Sequence, residues 1–474
     1  MSQTITIDPV TRLEGHGKIT IQLNGAGEVE DAHFHVTQVR GFERFSEGRP
    51  FYEMPSLMAR ICGICPVSHL IASAKACEAI MSVRIPHTAA QLRRTLNLAQ
   101  MVQSHALSFF YLASPDLLLG MEADPAVRNI LGVAAAKPEL GRAGVGLRRF
   151  GQSIIELLGD KRIHPGWVVP GGVTEPLSSD KRDKVLAMIP EAYTNVAMAL
   201  SAYKQIAETF KQEIAVFANF PTNYLSLINE DESIEFTDGA LRLVDAEGKT
   251  IEDGMTAARF TEAIGEAVEP YSYTKFAYYK PLGYPDGSYR VGPLARLNIV
   301  KSMGTPKAEK ELAEFKQLAS GPVASSFHYH HARLVEILYG IEKIEEILSD
   351  PRILDTHVRA TAGVNRLEGA GQAEAPRGAL HHHYKVDEDG KMVWANLVIA
   401  TGQNNKAMNL GVAQAAKRYV KNGKFTEGIL NRVEAVVRTF DPCLSCSSHA
   451  AGQMALVMEL VSAEGEMLDR VVRD

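Results

Sequence analysis

Only five cysteines occur in 474 residues. So small and odd a number excludes the disulfide framework of small secreted domains and fits a reducing compartment. No run of about eighteen uninterrupted apolar residues is present, and Met1-Ser-Gln-Thr-Ile-Thr-Ile lacks a basic stretch followed by an apolar one. The expectation is a cytoplasmic chain that does not span a membrane. Basic residues are not in excess either, since 50 Lys and Arg face 56 Asp and Glu for a net charge of −6. That balance gives nucleic acid no electrostatic footing. What is there is an ordinary globular composition, 46% hydrophobic, ample for a core without staples.

Four of the five cysteines sit in two Cys-x-x-Cys motifs near opposite ends, Arg60-Ile-Cys62-Gly-Ile-Cys65-Pro-Val-Ser-His69 and Asp441-Pro-Cys443-Leu-Ser-Cys446-Ser-Ser-His449. Two thiolate pairs brought together by folding can surround one thiophilic metal. Spacing alone leaves open a closed structural zinc site or a redox centre. The two ends must then share one core, so the three domains that length alone suggests are not expected. Cys77, the remainder, lies on an apolar helical stretch and reads as a packing residue.

Periodicity predicts an antiparallel hairpin or meander over residues 4–36, turning at Asn24-Gly25, and helices over 56–83, 88–119, 140–158 and 179–217, with Pro190 kinking or dividing the last. A strand pair is expected over 235–252, irregular chain over 276–293, helices over 307–318 and 326–348, and two strands over 379–401 around Asp387-Glu-Asp-Gly390. A final helix should end at Asp441-Pro442. The fold class is mainly α, a long-helix bundle core with small peripheral antiparallel sheets.

The flanks of the cysteine motifs, Arg-x-Cys-Gly-x-Cys-x-x-x-His and Asp-Pro-Cys-x-x-Cys-x-x-His, resemble the large catalytic subunit of nickel-iron hydrogenases. Three more segments follow that family's order, Asp8-Pro-Val-Thr-Arg-Leu-Glu14-Gly-His16, Arg40-Gly-Phe-Glu43 and Glu374-Ala-Pro-Arg377-Gly-Ala-Leu380. The resemblance covers almost the whole chain and looks closest to cytoplasmic, bidirectional, NAD-coupled enzymes. A quinone-reducing relative of the same fold would lack the four cysteines.

The resemblance implies Cys62 and Cys443 as terminal nickel ligands, and Cys65 and Cys446 as bridges to an iron carrying carbon monoxide and cyanide. Cys443 would take the proton from hydrogen and Glu14 would relay it, partial burial raising the Glu14 pKa. By residue type alone, Glu14 reads as a solvent-facing strand residue. Glu43 and His449, with the Leu397 carbonyl, would hold magnesium or a similar divalent ion; the alternative for Glu43 is an ion pair with Arg40 or Arg44. Arg377 would hang over the iron with Asp441 as counter-ion. Leu380, Ile399 and Ala400 would wall the pocket, Thr401 would hydrogen-bond a cyanide, and His69 would donate to a bridging thiolate. Ser104 stands where many membrane-linked relatives carry an aspartate near the arginine. The clusters His328-Tyr-His330-His331 and His381-His-His383 are expected to be surface or interface histidines.

The family usually ends at the second motif's histidine once a maturation endoprotease has cut, so residues 1–449 read as one catalytic domain and 450–474 as a removable extension. Its apolar positions suggest an amphipathic helix. No spare cysteine set for an electron relay remains, and no Gly-rich dinucleotide fingerprint is convincing. The implied partners are an iron-sulfur small subunit, which would take the electrons first, with diaphorase-type subunits carrying NAD and flavin beyond it.

Overall fold

The computed structural model describes residues 3–448, 456–462 and 467–473. Long helices make its centre. Pro66–Met81 starts directly after Cys65 with proline in its first turn, where a missing N–H costs nothing. His87–Ala106 continues through a π-helical stretch, Leu107–Ala113, into Ser114–Leu119. Pro138–Gly159 and Tyr329–Ser349 pack against His87–Ala106, and Ser179–Thr209 packs on both.

Tyr329–Ser349 is buried at every residue from Tyr329 to Glu342. A helix with no solvent face there has no place for surface histidines, so the expectation for His328, His330 and His331 is overturned: all three are buried. His328 bonds the Tyr203 hydroxyl at 3.1 Å, and His331 stacks on the Tyr203 ring. Ser179–Thr209 stops earlier than expected and is followed by the short helix Lys211–Ile214. Pro190 lies inside it without dividing it, on an exposed position of the helix. This helix is long and apolar enough to cross a membrane, but its apolar face packs on its two neighbours.

The sheets are small. Gln3–Ile7, Gly17–Leu23 and Val29–Val36 form the expected antiparallel meander, turned at Asn24, whose side chain accepts from the Ala26 and Glu28 amides, both at 3.0 Å. The strand pair expected over 235–252 is displaced to Ala240–Val244 and Thr250–Met255. Asn223–Ile228 extends that sheet, and Tyr289–Arg290 joins it in parallel, so not every sheet is antiparallel. The stretch 276–293 is less irregular than expected, because strand-favouring aromatics in Phe276–Tyr279 and at Tyr289 outweigh its Gly and Pro.

Glu368–Ala375, Gly378–Val386 and Met392–Val398 form a three-stranded antiparallel sheet, two of its strands flanking Asp387–Gly390 as expected. The middle strand is buried along nearly its whole length. His381, His382 and His383 are therefore interior residues, a second correction with the same cause as the first. The C-terminal extension, expected as a helix, carries two paired strands, Leu456–Val461 and Met467–Arg473. Their valines favour the extended chain. One hydrophobic core runs in sequence from Ile5 to Cys446 and so ties the two cysteine motifs together.

Candidate metal centre

The four motif cysteines meet. Cys62 Sγ lies 3.4 Å from Cys443 Sγ, Cys65 Sγ lies 3.4 Å from Cys446 Sγ, and all four sulfurs fall within 4.8 Å of one another. Each is buried and none is in a disulfide. Two local devices create this cluster. The loop Cys62–Cys65 runs into the N-terminus of Pro66–Met81, whose dipole favours thiolate, and the Ile64 amide donates to Cys62 Sγ at 3.2 Å. On the other side, Glu427–Phe440 ends at Asp441, which adopts a left-handed φ of 54° before Pro442 and turns the chain inward. That backbone costs roughly 1 kcal/mol for a non-glycine, and the bonds from Arg377 offset it.

Hydrogen bonds from the neighbouring thiols, Cys443 first, pull the Cys62 pKa well down, whereas burial pushes Cys443 and Cys446 well up. Four thiols buried against one another are a poor packing solution without a cation. A soft metal ion would hold all of them as thiolates.

Glu14 is drawn to the same place. Its backbone pairs with Cys443 in an isolated parallel bridge, the Leu444 amide donates to its carbonyl at 3.1 Å, and its carboxylate accepts from the Ser445 amide at 3.1 Å and from the Ser445 hydroxyl. The carboxylate is half-buried, so the solvent-facing strand reading does not hold. Gly15 makes the approach possible: its φ is 91°, and a Cβ there would lie 2.6 Å from Leu444 Cβ. Gly15→Ala is expected to destabilise the chain by about 1–3 kcal/mol and to lower metal retention in parallel, measured by chemical unfolding and nickel content.

Arg377 is fully enclosed. Its Nε donates to the Asp441 carbonyl at 2.5 Å and its Nη2 to the Asp441 carboxylate at 3.2 Å, while Nη1 has no partner among the described residues. Burial works against the guanidinium charge, but Asp441, then Cys443, Cys65 and Cys62, outweigh it and hold the pKa well up. An orphaned charged donor beside four thiols fits a site that expects an acceptor ligand. Thr401 Oγ1 accepts from the Cys443 amide at 2.9 Å, keeping its own proton to donate. Leu380, Ile399 and Ala400 are buried, as a dry wall requires.

Ser104 is buried with no partner for its hydroxyl among the described residues, and Ser108, one turn on, lies beside Asp441. Sequence reasoning missed Arg333, a wholly buried guanidinium whose three nitrogens also lack partners among the described residues. Burial lowers its pKa to about 10, with Asp441 the principal charge opposing the shift. Asp441 thus faces two arginines. Nothing in the local sequence of Arg333 marks it, whereas Ser445, also missed, lies inside the second motif.

Among the described residues no ion pair joins Glu43 to Arg40 or Arg44, the alternative reading for it. Arg44 pairs with Glu47, and Arg40 donates to the Ile61 carbonyl; Glu43 Oε1 accepts from the Leu397 amide at 2.8 Å. Glu266 and Lys275 lie close by, joined at 3.0 Å, and both reach the same corner through Asn396 and the charge of Glu43. His449 lies outside the described residues. His69 is buried, its Nδ1 3.1 Å from His382 Nε2. Cys77 is fully buried with Sγ donating to the Phe51 carbonyl at 3.2 Å, and burial raises its pKa, as a packing residue should show.

Comparison with known proteins matches residues 40–130 and 146–449 to the family described as nickel-dependent hydrogenase. Residues 4–39 match a HoxL-like segment. The chain belongs to the nickel-dependent hydrogenases. The NAD-reducing hydrogenase HoxS subunit beta of Cupriavidus necator is 40% identical, each chain covered completely. The corresponding subunit of the F420-non-reducing hydrogenase vhc of Methanococcus voltae is also 40% identical over 98% of each chain. Among solved structures, an NAD+-reducing [NiFe]-hydrogenase in the H2-reduced state superposes with a TM-score of 0.92 at 43% identity, covering 94% of this chain and 99% of that one. The Ni-Fe-Se hydrogenase of Desulfovibrio vulgaris Hildenborough gives 0.74 at 25% identity, covering 95% and 100%. This chain is therefore a hydrogenase large subunit with the family's helical fold, and its four-cysteine cluster is suited to a nickel-iron centre.

Proposed function

We propose that this subunit cleaves hydrogen reversibly at a nickel-iron centre that Cys62, Cys65, Cys443 and Cys446 would hold, Cys62 and Cys443 as the terminal pair and Cys65 and Cys446 as the bridging pair. The observation that carries the assignment is the convergence of four buried thiols with Glu14 bridged to Cys443. The metals, when bound, polarise hydrogen and accept its electrons. Cys443 Sγ takes the proton, being deprotonated by its metal and set within a dry wall. Glu14, tied to the same turn through Ser445, receives it next, and Ser445 keeps the carboxylate aimed.

Arg377, whose Nη1 has no hydrogen-bond partner among the described residues, would orient the iron's carbon monoxide and cyanide, and Thr401 would offer its hydroxyl to a cyanide. Arg377→Lys keeps the charge and loses the fork. It is expected to lower hydrogen oxidation roughly a hundredfold, the scale of removing one preorganised donor, with nickel retained; hydrogen uptake and metal content of the purified complex check this. Glu43, the Leu397 carbonyl and His449 would hold a magnesium or similar ion, which would fix the chain end.

Electrons leave through an iron-sulfur small subunit to NAD on diaphorase-type partners in the cytoplasm. Support comes from the NAD-reducing relative and solved enzyme, alike over most of the chain. The equal identity of the Methanococcus voltae protein, named for a hydrogenase that does not reduce F420, keeps a second reading, an acceptor other than NAD such as NADP, and lends no support to the deazaflavin alternative. Hydrogen-dependent reduction of NAD, NADP and a deazaflavin by the purified complex decides between them.

Maturation removes residues 450–474 by an endoprotease once nickel is in place. The family match ends at residue 449, and the solved enzyme covers 94% of this chain although the Cupriavidus necator relative covers all of it. Intact mass of the subunit from active complex is expected to end at His449. A full-length mass in a nickel-loaded, active sample would refute processing.

A further inference from the structure

Glu14 sits on a loop that is anchored behind it as well as at Ser445. The Val10 amide donates to the Gly17 carbonyl at 2.9 Å and closes the neck of the loop between Gln3–Ile7 and Gly17–Leu23. Beyond that neck Arg12 and Gly15 both take positive φ, 55° and 91°, with Leu13 and Glu14 between them. A residue such as Arg12 adopts this conformation only where its surroundings impose it. The contacts of Thr11 and Arg12 show what does so.

Thr11 docks on the helix Glu427–Phe440. Its amide donates to Glu434 Oε1 at 2.7 Å, its carbonyl accepts from Arg438 Nε at 2.9 Å, and its hydroxyl accepts from Arg438 Nη2 at 3.0 Å. Glu434 and Arg438, four apart on one face, are themselves joined at 2.7 Å. Arg12 reaches to the π-helical stretch and the helix after it. Its Nη1 donates to the Leu112 carbonyl at 2.8 Å and its Nη2 to Asp116 Oδ1 at 2.5 Å. Asp116 closes the network, since its Oδ2 accepts from Arg438 Nη1 at 2.9 Å and its Oδ1 from Asn431 Nδ2 at 3.0 Å. Asp116 and Arg438 are buried. Burial pushes the Asp116 pKa up, but Arg438 and Arg12 outweigh it and hold the carboxylate below its usual range.

The helix that carries Glu434 and Arg438 runs directly into Asp441 and Cys443. One helix therefore sets both the start of the Cys443 turn and the loop of Glu14, which meets Cys443 in a backbone bridge. We propose that Arg12, Asp116 and Arg438 are positioning residues that hold the Glu14 backbone at the separation from Cys443 that proton transfer needs. Ser445 aims the carboxylate, and the network fixes the chain that bears it. Donor and acceptor must come within about 2.6–3.2 Å, directly or through one water, and a misplacement of about 1 Å slows a reaction on the order of a hundredfold. This rests on the reading of Glu14 as the proton relay.

The test measures nickel content, hydrogen oxidation per nickel and the solvent deuterium isotope effect on that oxidation in the intact complex. Arg12→Lys keeps the charge and loses the fork, whereas Asp116→Asn keeps the shape and loses the charge. Both are expected to retain nickel and to slow oxidation roughly tenfold, as a displacement of less than about 1 Å would. Both should raise the isotope effect, because proton transfer becomes the slow step. Added to Glu14→Gln, Arg12→Lys should slow oxidation no further. Arg432→Gln serves as the control, since Arg432 lies on the same helix but pairs with Glu213 at 3.0 Å and with Glu122; its isotope effect should equal the parent's. An unchanged isotope effect in Arg12→Lys and Asp116→Asn while Glu14→Gln is slow overturns the network alone, as does an equal rise in Arg432→Gln. Parent-rate oxidation in Glu14→Gln overturns the relay reading, and this proposal with it. Should Asp116→Asn not assemble, Arg12→Lys, at a partly exposed side chain, decides.

Discussion

Cys443→Ser is expected to abolish hydrogen oxidation, by at least about a hundredfold, since even outer partners of a metal site cost roughly 10–100-fold. Serine is close in size but does not supply a soft anionic donor at neutral pH. The loss should therefore appear in nickel content as well as in rate. The substitution also removes the proton acceptor nearest the centre in this account, so exchange between hydrogen and deuterated water should fall with oxidation. Its fold is expected to survive, because Asp441 and Pro442 still turn the chain and the Cys443 amide still meets Thr401. Retained nickel and a rate within a few-fold of the parent would show that Cys443 is not a ligand.

Glu14→Gln separates proton traffic from metal binding. The amide oxygen still accepts from the Ser445 amide, and the backbone bridge to Cys443 does not depend on the side chain. Nickel content should stay unchanged. A glutamine cannot take the proton, so hydrogen oxidation should fall by roughly 10²–10⁴, the range for a positioned acid or base. Glu14→Asp keeps the carboxylate but shortens its reach, and an intermediate rate is expected. If Glu14→Gln oxidises hydrogen at the parent rate, the proton leaves by another path.

The centre was legible in the sequence for a specific reason. Its four clustered thiols are the only cysteines except Cys77 and sit in two short motifs, so the chemistry of the donors and the order of the flanks survive without coordinates. The meander and the long helices were legible because their periodicities are clean. The histidine clusters were misread because residue type says little about a helix or strand buried on every side: Tyr329–Ser349 and Gly378–Val386 are central elements, and centrality is a tertiary fact. The extension is paired strand and not the expected helix, and the valines of Leu456–Val461 and Met467–Arg473 favour that extended chain. Arg333 and the Arg12–Asp116–Arg438 network could not be seen at all, since each depends on residues far apart in sequence meeting in the core.

The measurement that tests the central claim most directly is elemental analysis of this subunit from active complex. The account predicts about one nickel and one iron per chain, set by a single four-thiolate cluster, with zinc absent and both metals lost in Cys443→Ser. Zinc in place of nickel in a complex that still oxidises hydrogen would contradict it.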